Sequence, residues 1–433
     1  MTQQPHPFPL TLILFGITLL TSLLPLTLGK QPAVNALVAP ITKDSCTSLY
    51  TIALNSTKQY LIDLTSPFVL GPCPPDYTLV HCTAPICYDA NHRSDCPIIN
   101  AYRPPGFCRC MASMRHPITG ACFSGNETVI RIYIASTDGR NPTSLVSADY
   151  VNICAPDNAL TGLPRGAVGI AGFGRTSLVS LPARLAWDVS IRSNENLVVN
   201  PSFYNRFVLC LPSTTNTPGV AFFGANPYYL LPSYLPDISN SLTYTTLLQS
   251  PNYSDVAYYL NVKGLAVNGM SVSLPTYELT FDSSGRGGVK LSTTIPYTTM
   301  KTSIYKPFIE AYKTATNWIP HKPSVKPFEL CFDTRDLGST RVGYGVPPID
   351  IMLNDGKNWT IFGANSLKDV KANTACLAFV DGGENEIPAI TLGGFQMEDS
   401  FLLFDVPNST LGFIPTLRGL QTTCSNFNFT SGV

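Results

Sequence analysis

The sequence predicts an all-β chain folded into two lobes, with a few short helices. Three observations carry that expectation. The chain has 433 residues, 44% of them hydrophobic, which is more than one core usually holds. Its apolar residues fall in short runs rich in Val, Ile, Thr, Tyr and Phe. Those runs are broken throughout by 37 prolines and 31 glycines, the residues that end strands and make turns.

The N-terminus points to export. Residues 8–28, FPLTLILFGITLLTSLLPLTL, are almost continuously apolar, and small Thr27 and Gly29 precede Lys30. Residues 1–29 read as a secretory signal peptide. The rival reading is an uncleaved anchor helix, since a span needs about 20 such residues. Pro25 and the absence of a basic stop signal favour cleavage, and no second apolar run of spanning length follows. Six N-x-[ST] sequons, at Asn55, Asn126, Asn252, Asn358, Asn408 and Asn428, become glycan acceptors in an exported chain. Lys+Arg and Asp+Glu are both 28, and only 13% of residues are charged. A neutral, charge-poor chain has no electrostatic reason to bind nucleic acid or an anionic membrane.

Thirteen cysteines agree with an oxidising compartment. Seven fall between Cys73 and Cys122: Cys73, Cys82, Cys87, Cys96, Cys108, Cys110 and Cys122. Cys154, Cys210, Cys331, Cys376 and Cys424 follow, and Cys46 stands apart. Zinc would want C-x₂-C units or Cys/His spacings, and no C-x₂-C occurs here. Disulfides are the expectation, with no metal and no cofactor. An odd number leaves at least one thiol unpaired within the chain, and Cys46 is the natural candidate. Spacing alone does not give the pairing.

Along the chain, ALVAPITKDSCTSLYTIALNSTKQYLIDL alternates apolar and polar residues and reads as consecutive strands. A loop-rich, cysteine-rich stretch with little regular apolar pattern follows. VIRIYIASTDGRN reads as a hairpin arm with Asp138-Gly139 at its turn. GAVGIAGFG, Gly166–Gly174, is a glycine-rich strand, and RTSLVSLPARLA after it a short helix. The G-x-x-G-x-G within it is not a dinucleotide loop, because no βαβ alternation surrounds it. RFVLCLP and GVAFFGA are strands, and the proline-rich segment from Asn226 marks the boundary between lobes. The expected units are therefore 1–29, 30–225 and 226–433. In the second half, a helix is predicted from Ser303 to about Ala315, with Ile304, Phe308 and Tyr312 on its buried face. Three strands close the chain.

The two halves share a pattern. In the first, YLIDLTSPFVLGPC precedes AVGIAGFG; in the second, VKLSTTIPYTTM precedes AITLGG. This arrangement resembles the pepsin-like aspartic protease fold, over nearly everything after residue 35. In a working enzyme of that fold each loop carries Asp-Thr/Ser-Gly. Two carboxylates then share one proton, so that one acts as base on water and the other as acid. Here the first loop reads Asp63-Leu64-Thr65 and the second Ser292-Thr293-Thr294. Ser292 stands where the second carboxylate belongs, which predicts a chain that does not cleave peptides. Asp63 is read as a loop-stabilising acceptor, the alternative being a catalytic remnant.

LVAPITKDSCTSLYTIAL, GVKLSTTIPYTTMKTSIYKPF and ELCFDTRDLGSTRVGYGVPPIDIML resemble one inactive branch of that fold, the plant xylanase inhibitors of the wheat TAXI type. Xyloglucanase-inhibiting proteins, an extracellular dermal glycoprotein and the basic globulins of legume seeds are relatives of that branch. The resemblance implies six disulfides, with Cys46 outside the framework, and an extracellular location in the plant apoplast. It implies a monomer that inhibits microbial glycoside hydrolases of the xylanase or xyloglucanase type. The alternative is a storage protein, or one that binds a peptide or carbohydrate in the vestigial cleft.

In that branch a histidine just before the last cysteine approaches the carboxylates of the target enzyme. Here IPTLRGLQTT fills the interval before Cys424, and the five histidines, His6, His81, His92, His116 and His321, lie elsewhere. Arg418 is the nearest equivalent, read either as a solvated surface arginine or as one that pairs with a glycosidase carboxylate. A second contact region would include Tyr297, Thr298 and Met300. Tyr133 reads as a strand-face tyrosine, the alternative being the place of the flap tyrosine of proteases. Trp318 and Trp359 are read as packing anchors rather than sugar platforms.

Overall fold

A computed structural model describes residues 1–2 and 36–430, apart from 56–57, 74, 76, 95, 98–107, 177, 194–204 and 226. The expected signal peptide, part of the polar segment 190–206 and the boundary residue Asn226 lie outside the described residues. Residues 34–433 form one compact unit. No helix among the described residues is long and apolar enough to cross a membrane.

The fold is built from strands, as expected, and four α-helices are found among the described residues. Alternation in the opening segment gives three antiparallel neighbours, Ala36–Lys43, Tyr50–Leu54 and Lys58–Asp63. The long hairpin Cys122–Thr137/Pro142–Cys154 turns where the Asp-Gly pair predicts. Asp138 Oδ1 accepts from the backbone N–H groups of Arg140 and Asn141, and Gly139 takes φ 91°. The glycine is required there, because a Cβ would meet the Pro227 carbonyl oxygen at 2.1 Å.

Strands from the two halves join in one sheet. Arg206–Cys210 pairs antiparallel with Phe401–Asp405, and Thr243–Leu248 with Thr410–Ile414. One apolar core runs through both halves, with Phe207 stacked on Phe404 at 4.6 Å between centroids and edge-on to Phe173. The predicted helix spans Thr302–Ala315 and buries Ile304, Phe308 and Tyr312.

The structure adds a helix that the sequence did not announce, Pro85–Arg93. It lies in the cysteine-rich stretch and is anchored by the Cys87–Cys110 disulfide rather than by a regular apolar stripe. The other disulfides are Cys73–Cys154, Cys82–Cys108, Cys96–Cys122, Cys210–Cys424 and Cys331–Cys376. Cys46 is free and exposed. Twelve of the thirteen cysteines are thus paired.

Candidate functional site

The two loops singled out in the sequence occupy corresponding places. Lys58–Asp63 runs parallel to Ala167–Gly172, with Asp63 opposite Gly172. Val289–Leu291 runs parallel to Ile390–Leu392, and the Ser292 N–H donates to Leu392 O at 2.9 Å. Each returning strand ends on, or is followed at once by, a glycine pressed against backbone five residues past the loop's first residue. A Cβ on Gly172 would meet Phe68 O at 2.1 Å, and one on Gly393 would meet Tyr297 C at 2.4 Å. This close approach is the physical reason for the apolar-apolar-Gly pattern.

The loops touch across the interior. Thr293 Oγ1 donates to Ile62 O at 2.6 Å and accepts from the Leu64 N–H at 3.4 Å. Leu64 has no hydroxyl to return the contact, so only one half of a reciprocal clasp is made. Asp63 is fully buried, and local donors engage both its oxygens. Oδ1 accepts from Thr65 N–H at 2.8 Å and Thr65 Oγ1 at 2.7 Å, and Oδ2 accepts from Ser66 Oγ. Ser292 Oγ lies 3.1 Å from Thr294 Oγ1 and accepts from the Thr294 N–H. Asp63 is thus engaged by donors of its own loop, and Ser292 by Thr294 within its own.

Above the loops lies a cleft of about 710 Å³, lined by Thr65, Ser66, Ser292, Thr294, Asp255, Lys290, Glu386 and the Arg115–Pro117 turn among others. That turn follows the strand Met111–Arg115, which pairs with the start of the long hairpin. His116 closes it and is almost fully buried. Its Nδ1 accepts from the N–H groups of Ile118 and Thr119, both at 3.2 Å. The hydrogen of the neutral ring therefore sits on Nε2, which is buried without a partner. Burial pushes the imidazole below its ordinary value, against the opposing pull of Asp63. Sequence reasoning did not place His116 in the cleft. Tyr133 lies elsewhere, exposed on a strand face opposite Ser147.

None of the four expected inhibitor contacts lines the cleft. Arg418 lies in a short helical turn, Leu417–Leu420, and is already engaged. Its guanidinium pairs with Asp399 Oδ2 at 2.9 Å and donates to Ser213 Oγ at 3.0 Å, with one third of the side chain exposed. Tyr297 packs edge-on to Phe328 and Phe395, and burial together with the Glu398 charge pushes its hydroxyl up. Tyr297 and Arg418 thus flank the adjacent acids Glu398 and Asp399. Thr298 and Met300 need correction as surface contacts: they are 0% and 1% exposed. The strand Thr298–Lys301 alternates, so Thr299 and Lys301 face outward instead. Trp359 is buried against Phe413, and Trp318 is exposed.

Two clusters have metal-like composition, His81 with Cys82 and Cys108, and Glu127 with Cys87 and Cys110. In both the cysteines are joined in a disulfide, so no thiolate is available.

Comparison with known proteins places this arrangement. The family described as "Xylanase inhibitor N-terminal" matches residues 56–225, and "Xylanase inhibitor C-terminal" matches 257–415. Among curated relatives, "Chitinase CLP" of Oryza sativa subsp. japonica is 40% identical over 409 residues, 91% of each chain. "Probable aspartic proteinase GIP2" of Nicotiana benthamiana is 35% identical, over 91% of this chain and 92% of that one. The crystal structure of EDGP superposes with a TM-score of 0.81 at 34% identity, covering 92% of this chain and 99% of that one. Basic 7S globulin from soybean gives 0.73 at 25% identity, covering 92% and 99%. With both halves matched and relatives above 30% identity along nearly the whole length, the chain belongs to the TAXi-type family of inactive pepsin-like proteins.

Proposed function

We propose that the protein is a secreted pseudoprotease that inhibits microbial glycoside hydrolases attacking plant cell walls. The observation that carries the reading is that the corresponding places of the two loops hold Asp63 and Ser292, one carboxyl group rather than two. Water activation by a shared-proton carboxyl pair is unavailable, and the one carboxylate is consumed in holding its loop. A fold freed from that chemistry is left with its surfaces. The family descriptions and the resemblance to wheat-type inhibitors point those surfaces at glycosidases of the xylanase or xyloglucanase class. The six sequons and six disulfides support an extracellular setting. Neither a metal nor a cofactor enters this reading, and the inhibitor acts as a monomer on a protein partner.

The test is a panel of fungal and bacterial xylanases and xyloglucanases with the purified protein, alongside an acid-pH assay on denatured protein. Inhibition of at least one hydrolase and no pepstatin-sensitive proteolysis are expected. Peptide cleavage would overturn the pseudoprotease reading, and a silent panel the inhibitor reading. Arg418→Ala is expected to weaken inhibition at least about tenfold, the 1.4 kcal/mol of one lost charged contact. Because it also strips Asp399 of its partner, Arg418→Lys serves as the control that keeps the charge. Unchanged inhibition by the folded Ala variant removes Arg418 from the contact.

A second reading is favoured by one observation. The cleft carries Asp255 and Glu386 among many hydroxyls, and a relative is named a chitinase. Turnover of chitin oligosaccharides, added to the panel, distinguishes an enzyme acting on sugars from an inhibitor of such enzymes. The storage reading gains if both are negative.

A further inference from the structure

We propose that Asn252 carries an N-linked glycan that lies across the mouth of the cleft and closes it to other macromolecules. Five of the six sequon asparagines stand away from the cleft lining. Asn252 and Ser254, the ends of its own sequon, are part of that lining. Another part of the lining packs beside it. A Cβ on Gly285 would come within 3.8 Å of the Asn252 backbone nitrogen.

The local chemistry suits the modification. Asn252 is exposed, and its Oδ1 accepts from the Ser254 N–H at 3.2 Å and Ser254 Oγ at 2.9 Å. Nδ2, the nitrogen that bears a glycan, makes no hydrogen bond among the described residues. At Asn408, by contrast, Nδ2 donates to Asp405 Oδ2 at 3.0 Å. Asn126 lies within a paired strand, opposite Met111.

The lip is also built to hold sugar. Ser254, Ser284, Asp255 and Glu386 offer hydroxyl and carboxylate partners to pyranose hydroxyls. Tyr253 is 54% exposed, and its ring is fixed by the Arg93 guanidinium 4.0 Å from its centroid and by His92 edge-on at 6.3 Å. A fixed aromatic face can pack the C–H side of a sugar ring without first losing side-chain freedom. Tethering makes weak contacts sufficient. A group attached at the lip is present at an effective concentration in the millimolar range.

With the cleft covered, a protein partner docks on outer faces, such as the one bearing Arg418. The inference rests on the export proposed above, since a chain outside the secretory pathway receives no N-glycan.

The full-length chain is expressed in a glycosylating secretory host, and sequon occupancy is read by mass spectrometry of its peptides. Thr294→Cys, in a Cys46→Ser background, places a reporter thiol on the cleft lining, and Thr299→Cys gives a second position. Labelling by a polyethylene-glycol maleimide should be about tenfold slower than in the Asn252→Gln counterpart, the ratio for a mouth open a tenth of the time. Asn408→Gln should leave the slow rate unchanged. Equal rates with and without Asn252, or secreted protein glycosylated at other sequons but not at Asn252, overturn the inference and leave export standing. A chain that is neither secreted nor glycosylated anywhere overturns both.

Discussion

Lys43→Met is expected to destabilise the protein by about 3–5 kcal/mol near neutral pH, the cost of leaving a buried charge without its partner. Lys43 Nζ lies 2.6 Å from Glu398 Oε1, and both side chains are almost fully buried. Tyr50 donates its hydroxyl to the same oxygen at 2.6 Å, and Lys43 also donates to Ser213 O at 3.3 Å. This links the first strand to the acidic pair Glu398–Asp399, which Arg418 and the Cys424 N–H hold from the other side. Burial pushes the Glu398 carboxyl above its ordinary range even with Lys43 and Tyr50 pulling it down. Without the lysine, the tyrosine hydroxyl and the more distant charge of Lys368 remain. The loss should shrink as pH falls, because a protonated Glu398 no longer needs a cation. Lys43→Met combined with Glu398→Gln should recover most of the stability, since removing both charges of a buried pair is far cheaper than removing one. Urea unfolding of the three proteins at two pH values measures this. A single variant within about 1 kcal/mol of the parent at neutral pH, the ordinary size of a point-mutation effect, would remove the pair from the fold's supports.

That network also shows where sequence reading ends. Local pattern gave the strands, the Asp-Gly hairpin and the buried face of the helix Thr302–Ala315, because each depends on residues close in the chain. The repeated apolar-apolar-Gly motif located both central loops, because a glycine forced against backbone leaves a fixed mark. Lys43 and Glu398 are 355 positions apart, and Arg418 and Ser213 are 205 apart. No spacing rule joins them. His116 carries no signal either; its place in the cleft comes from a turn held by its own ring nitrogen. Thr298 and Met300 are a different case. The segment Thr298–Lys301 alternates like any half-buried strand, and that period would have pointed both side chains inward. Family likeness suggested the segment but not which of its faces is wet.

Glu127 should make the protein more stable in mild acid than at neutral to alkaline pH. Its side chain is buried, one carboxylate oxygen has no hydrogen-bond partner, and it lies against the Cys87–Cys110 disulfide. Burial first, then the nearby Asp89, pushes its carboxyl up to about 7 from an ordinary 4.5, while Arg184 pulls the other way. The sign follows from proton counting. Between those two values the folded chain holds a proton that the unfolded chain has released, so stability falls as pH rises through the window. The contribution is fully present below about 4.5 and gone above about 7. A difference of that size corresponds to about 3 kcal/mol, at 1.36 kcal/mol per pH unit. Glu127→Gln keeps the shape and removes the titration. The variant should match the parent near pH 4.5 and exceed it by up to about 3 kcal/mol near pH 8, flattening the profile. Denaturant unfolding across that range reads both curves. If parent and variant run parallel, the buried carboxyl is compensated by a partner in the folded state, and the acid preference has another source. If they converge in acid and part above neutrality, the buried carboxyl of Glu127 is the source of the acid preference.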